Sequence, residues 1–132
     1  MLVEYGKPNT IGEGTNADID TAEEDVLVVT DQTYLVKSQV TVYIDYALGT
    51  NTSLLIRYYY RNEVGGNWYQ APVKVEATSI LTNLPTTITS ASPADRVIED
   101  IPMSACMAFK VTAQGAGGAN SSVTVKLLTR NN

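Results

Sequence analysis

The residues able to do chemistry are few in this chain of 132 residues, which has no histidine and one cysteine, Cys106. Without an imidazole there is no partner base for a serine or cysteine nucleophile and no histidine-held metal. One thiol can build neither a thiolate zinc site nor an internal disulfide, and Cys106 reads as a small side chain. Carboxylates remain. Asp18, Asp20, Glu23, Glu24 and Asp25 could offer hard oxygen ligands to calcium. The EF-hand spacing fails, because Ala22 stands where a third oxygen is wanted and no glycine follows it. The segment therefore reads as acidic surface, and no metal is assigned. Asp95, Glu99 and Asp100 have no fixed spacing that would set two carboxyls across a cleft, as glycoside hydrolysis requires. Gly115–Gly118 has no Lys-Ser/Thr after it and joins two strand-like runs, so it is not a phosphate loop. No catalytic residue and no cofactor are assigned; the expectation is that the chain is not an enzyme.

Arg57, Tyr59 and Arg61 alternate along one run, with Trp68 and Tyr69 just beyond the next turn. Tyr, Trp and Arg are the residue types that dominate binding hot spots. Three readings stand: an ordinary outer face of a sheet, a protein–protein contact, or a platform on which sugar rings stack.

The elements that must position these residues are strands. Val40–Leu48 puts Val40, Val42, Ile44, Tyr46 and Leu48 on one face and Thr41, Tyr43, Asp45 and Ala47 on the other. Such period-two alternation marks a half-buried strand. Ser53–Arg61 repeats it, with Leu54, Ile56, Tyr58 and Tyr60 opposing Leu55, Arg57, Tyr59 and Arg61. Gly65-Gly66 suits a hairpin turn, and Pro72 restricts the return run to a sheet edge or to a break before Val73–Ala77. Asp25–Asp31 reads as a first strand. Thr78–Asp100 reads as short strands and loops anchored by Leu81, Leu84, Ile88, Val97 and Ile98. The runs 103–113 and 122–127 alternate on either side of a glycine-rich turn and predict a terminal hairpin, with Met107, Phe109, Val123 and Val125 buried together. Seven or eight strands with no helical run between them predict an all-β, two-sheet antiparallel sandwich, jelly-roll or immunoglobulin-like. The sandwich is expected over residues 25–132. Residues 1–24 lack periodicity and read as an extended N-terminal arm. Leu2, Tyr5 and Ile11 would make its contacts with a sister subunit or a shell protein; the alternative is an added edge strand on its own domain.

Net charge is −5 and the isoelectric point is near 4.5, which speaks against general nucleic-acid binding. Seven acids and no base lie between Asn9 and Val36, whereas three bases and no acid lie from Ile101 to the end. In a protein packed beside its own copies, the acidic end of one could pair with the basic end of the next. No basic and apolar leader opens the chain and no run is long enough for a membrane helix, so neither a standard signal nor a bilayer is expected.

The runs VTVYIDYALGTNTSLLIRYYYRNEVGGNWYQ (40–70) and IPMSACMAFKVTAQGAGGANSSVTVKLLTR (101–130) resemble small β-sandwich accessory proteins of tailed-phage virions. These are the decoration or cement proteins of bacteriophage capsids and related head, neck and tail modules. The resemblance implies a non-enzymatic structural role in the virion, with a major capsid or connector/tail protein as partner and a multi-copy or homo-oligomeric assembly. It transfers no individual site residue. The alternative is a carbohydrate-binding or host-recognition sandwich using Tyr59, Trp68 and Tyr69.

Overall fold

The computed structural model describes residues 8–29, 39–61, 63, 65–71, 73–75, 80–82, 85–90, 97–102 and 108–130. Eleven strands run through them, more than the seven or eight expected. They are β1 (Pro8–Ile19), β2 (Glu24–Val29), β3 (Gln39–Ala47), β4 (Ser53–Arg61), β5 (Tyr69–Gln70), β6 (Val73–Val75), β7 (Ile80–Thr82), β8 (Thr86–Thr89), β9 (Val97–Pro102), β10 (Ala108–Gly115) and β11 (Ser121–Arg130). One layer has the order β1-β11-β3-β9. The other has β2-β10-β4-β5, with β8 pairing the other half of β4, and β6-β7 form a separate ribbon. Every pairing among the described residues is antiparallel.

The chain is all-β, and its two layers pack as a sandwich. Consecutive strands β1/β2, β3/β4 and β10/β11 lie in opposite layers, and the first strand pairs with the last. This is a jelly-roll order, not the ABED/CFG order of immunoglobulin domains. Alternation places the core as expected. Val42, Ile44, Val123, Val125 and Leu127 face inward from one layer. Leu54, Ile56, Tyr58, Phe109, Val111 and Ala113 face inward from the other, and all are fully buried. The Tyr58 and Phe109 rings stack with centroids 6.3 Å apart. Met107 lies outside the described residues, as do Cys106, Leu84 and Asp95.

Two expectations are corrected. The runs around Gly115–Gly118 form no hairpin: β10 pairs with β2 and β4, while β11 pairs with β1 and β3. The glycine-rich segment crosses between layers and zips against the β3–β4 crossing. Thr50 N donates to Ala119 O at 3.1 Å, Thr52 N to Ala116 O at 3.1 Å and Ala116 N to Ser53 O at 3.2 Å. Gly118 must be glycine here, since a Cβ would fall 2.3 Å from Thr50 O. Local alternation cannot tell a turn within a sheet from a crossing between sheets.

The N-terminal arm is the second correction. Residues 8–19 do not reach away from the sandwich; they are an edge strand of it, paired to β11 from Pro8↔Arg130 to Ile19↔Ser121. Glu13 and Thr15 are exposed and alternate with the half-buried Gly12 and Gly14. The inward positions are empty because β2 lies so close: a Cβ on Gly14 would sit 2.4 Å from Val26 O, and one on Gly12 would sit 2.6 Å from Val29 Cγ2. The acidic and basic ends of the sequence meet within one molecule, since β1 runs along β11 and β2 along β10.

Candidate functional site

The outward side of β4 carries Arg57, Tyr59 and Arg61, as alternation requires. Cross-strand pairing sets Lys110 opposite Tyr59 and Thr112 opposite Arg57. Opposed residues on antiparallel strands share a face, so β10 supplies the second column of this surface. Glu23, just before β2, supplies its centre.

The Glu23 Oε2 atom accepts from the Tyr59 hydroxyl at 2.5 Å and from Thr112 Oγ1 at 2.7 Å. Arg57 Nη1 lies 3.9 Å from the same oxygen and donates to Gln114 Oε1 at 2.8 Å. Burial works against the charged form of Glu23. The hydrogen bonds from Thr112 and Tyr59 and the charges of Arg57 and Lys110 outweigh it, and hold the carboxyl below its ordinary range. Tyr59 moves the other way: burial, then the bond to Glu23 and its negative charge, push the phenol up to about 12. Lys110 Nζ stands 3.7 Å from Asp25, 5.2 Å from the Tyr59 ring centroid and 4.8 Å from that of Trp68. Arg61 Cζ lies 4.6 Å from the Trp68 centroid. Two cations thus meet one indole, a favourable arrangement for the ring's quadrupole.

The structure gathers Arg57, Tyr59, Arg61 and Trp68 on one surface. It adds Glu23, Lys110, Thr112 and Gln114, which the alternation of β4 alone does not place there. Tyr69 does not join them. It pairs with Tyr60, which packs toward the core, so its register puts it on the opposite face; it is 54% exposed at the sheet edge. Val28, paired with Lys110, is exposed beside the cluster. Of the arm residues, Leu2 and Tyr5 lie outside the described residues. Ile11 lies in β1 at a register shift between Thr10 and Gly12.

Three acids of the run 18–25 are engaged in local structure. Asp20 Oδ1 accepts from Ala22 N at 2.9 Å, Glu23 belongs to the Tyr59–Thr112–Arg57 network, and Asp25 faces Lys110. Among the described residues no group of three or more His, Cys, Asp or Glu side chains is placed to hold a metal ion. No helix among them is long and apolar enough to cross a membrane.

No protein-family model matches the chain, and no curated protein matches it in sequence. Solved structures do. The SPBc2 prophage-derived protein YomS superposes over 96% of this chain and 99% of its own, with a TM-score of 0.54 at 13% identity. The two share a fold. A carbohydrate-binding module specific for non-crystalline cellulose overlaps at a TM-score of 0.45 and 12% identity, covering 95% of this chain and 73% of its own. Vertex protein P5 of PRD1 overlaps at 0.44 and 10%, covering 93% and 99%.

Proposed function

We propose that this chain is a non-enzymatic structural protein of a phage virion, seated in several copies on capsid or connector subunits and stabilising the particle as decoration or cement proteins do. The observation that supports this most is the Glu23–Tyr59–Thr112–Arg57 network. It holds an arginine- and aromatic-rich surface in one geometry before any partner arrives, so little side-chain freedom is lost on docking. Arg57, Arg61 and Trp68 would form the centre of the contact, with exposed Val28 beside them. The fold shared with a prophage-derived protein fits that setting.

The test is mass spectrometry of gradient-purified particles of the phage or prophage that encodes the chain. A fixed ratio to the major capsid protein is expected; finding the protein only in the soluble lysate would overturn the reading. The glycan alternative at Tyr59, Trp68 and Tyr69 fits the geometry less well. The Tyr59 hydroxyl is committed to Glu23, two cations approach the Trp68 ring, and Tyr69 points elsewhere. A glycan-array signal abolished by Trp68→Ala would favour it.

A further inference from the structure

We infer that the outer face of β1, β11 and β3, on the far side of the sandwich from the Glu23 network, is a binding site for a neutral oligosaccharide. A depression of about 340 Å³ lies there, lined by Glu13, Tyr43, Asp45, Thr124, Lys126 and Leu128. The register explains how it is built. Glu13, Lys126 and Tyr43 stand in one row across the three strands, and Thr15, Thr124 and Asp45 in the next. With strands about 4.8 Å apart and like-facing residues about 7 Å apart along a strand, the surface is about 10 Å wide and extends over several rows. That is an elongated trough suited to a chain of rings.

The two outer faces differ in one respect. On the β2-β10-β4 side Glu23 binds Tyr59 and Thr112, Arg57 binds Gln114 and Lys110 faces Asp25, although the buried Arg61 Nε has no hydrogen-bond partner among the described residues. On this side, among the described residues, no hydrogen bond or ion pair engages Glu13, Tyr43, Asp45 or Lys126. Tyr43 is 37% exposed. Two acceptor carboxylates and a donor ammonium therefore surround the accessible ring of Tyr43, with their hydrogen-bonding capacity and that of its hydroxyl unused.

The chemistry selects the ligand class. An anion would meet two carboxylates against one ammonium. A divalent cation would need Glu13 and Asp45 together, yet they lie on strands separated by β11, with Lys126 between them. A wholly apolar ligand would strip water from three charged groups without replacing their hydrogen bonds. A neutral polyhydroxyl chain meets every group: hydroxyls donate to Glu13 and Asp45, accept from Lys126, and lay a ring's C–H face on Tyr43.

The experiment titrates the ¹⁵N-labelled full chain with maltotetraose, cellotetraose and mannotetraose, and with tetragalacturonate as the anionic control. Saturable amide shifts are expected at 13–15, 43–45 and 124–128 with at least one neutral sugar and not with the anionic one. Tyr43→Ala should weaken that binding by about tenfold or more, whereas Tyr43→Phe, which keeps the ring, and Tyr69→Ala, on the other layer, should bind nearly as wild type. Because Tyr43→Ala alters a cross-strand neighbour, Asp45→Asn and Glu13→Gln supply a second arm, expected to weaken binding with the amide spectrum otherwise unchanged. The inference is overturned if no neutral sugar shifts these amides at millimolar concentration. It is also overturned if the shifts map to the β2-β10-β4 face, or if the Tyr43→Ala and Asp45→Asn variants both bind as wild type.

Discussion

Asn51 is 4% exposed, and its side chain makes three hydrogen bonds. Its Nδ2 donates to Ile19 O at 3.1 Å and to Ser121 Oγ at 2.7 Å, while its Oδ1 accepts from Gly118 N at 2.9 Å. It thereby ties the end of β1 to both inter-layer crossings. Asn51→Leu removes every one of these partners while keeping the bulk, and an orphaned buried polar group costs about 1–3 kcal/mol. A loss of about 2 kcal/mol or more in urea unfolding is expected on that scale; a midpoint equal to wild type would show that water reaches this site. Phe109→Ala should cost about 3–5 kcal/mol by opening a cavity against Tyr58, measured the same way. Glu23 gives a signed pH test. Its folded-state pKa is depressed, so it contributes stability that is present above the unfolded value of 4.5 and is lost as pH falls through the folded value. Stability curves measured at neutral pH and below about pH 4 should converge for Glu23→Gln more than for wild type. An unchanged acid dependence would mean that Glu23 gains nothing from its partners.

At the scale of elements, β1 decides the most. It covers β11 on one side and lies against Leu27 and Val29 of β2 through Gly12 and Gly14, so removal of residues 1–20 exposes core on both layers. The truncated chain is expected to be unfolded or aggregated by circular dichroism and gel filtration; a monomeric, cooperatively melting product would contradict β1 as an integral strand. Gly14→Ala should destabilise more than Gly65→Ala, because Gly65 meets nothing within 4 Å and asks only for its φ of 73°. The same strand shows where sequence reading stops. β3, β4 and β10 are legible from their alternating apolar faces. β1 is not, because its inward positions are glycines that carry no apolar signal, although their role is to let two layers approach. Arg57, Tyr59 and Arg61 can be assigned to one face from parity alone. Glu23, Lys110, Thr112 and Gln114 join them only once pairing order is known, and parity of a single strand does not contain pairing order. Tyr69 parts from Trp68 for the same reason, since its face is set by its pairing with Tyr60 and not by its place after the turn.

At the scale of the molecule, the jelly-roll order sets the acidic first strands beside the basic last ones, and Asp25 pairs with Lys110 between β2 and β10. Two unlike outer faces are left for partners, one networked around Glu23 and rich in arginine and aromatic side chains, the other polar, with Glu13, Tyr43, Asp45 and Lys126 unbonded among the described residues. The first is the face proposed for particle assembly. The most direct test adds purified protein to particles produced from a genome lacking its gene, then separates bound from free by sedimentation. Saturable binding at a fixed number of copies per particle is expected. An Arg61→Glu/Trp68→Ala variant that melts as wild type should lose that binding by about tenfold or more. Particles that take up no protein, or that take up this variant as fully as wild type, would contradict the assembly role.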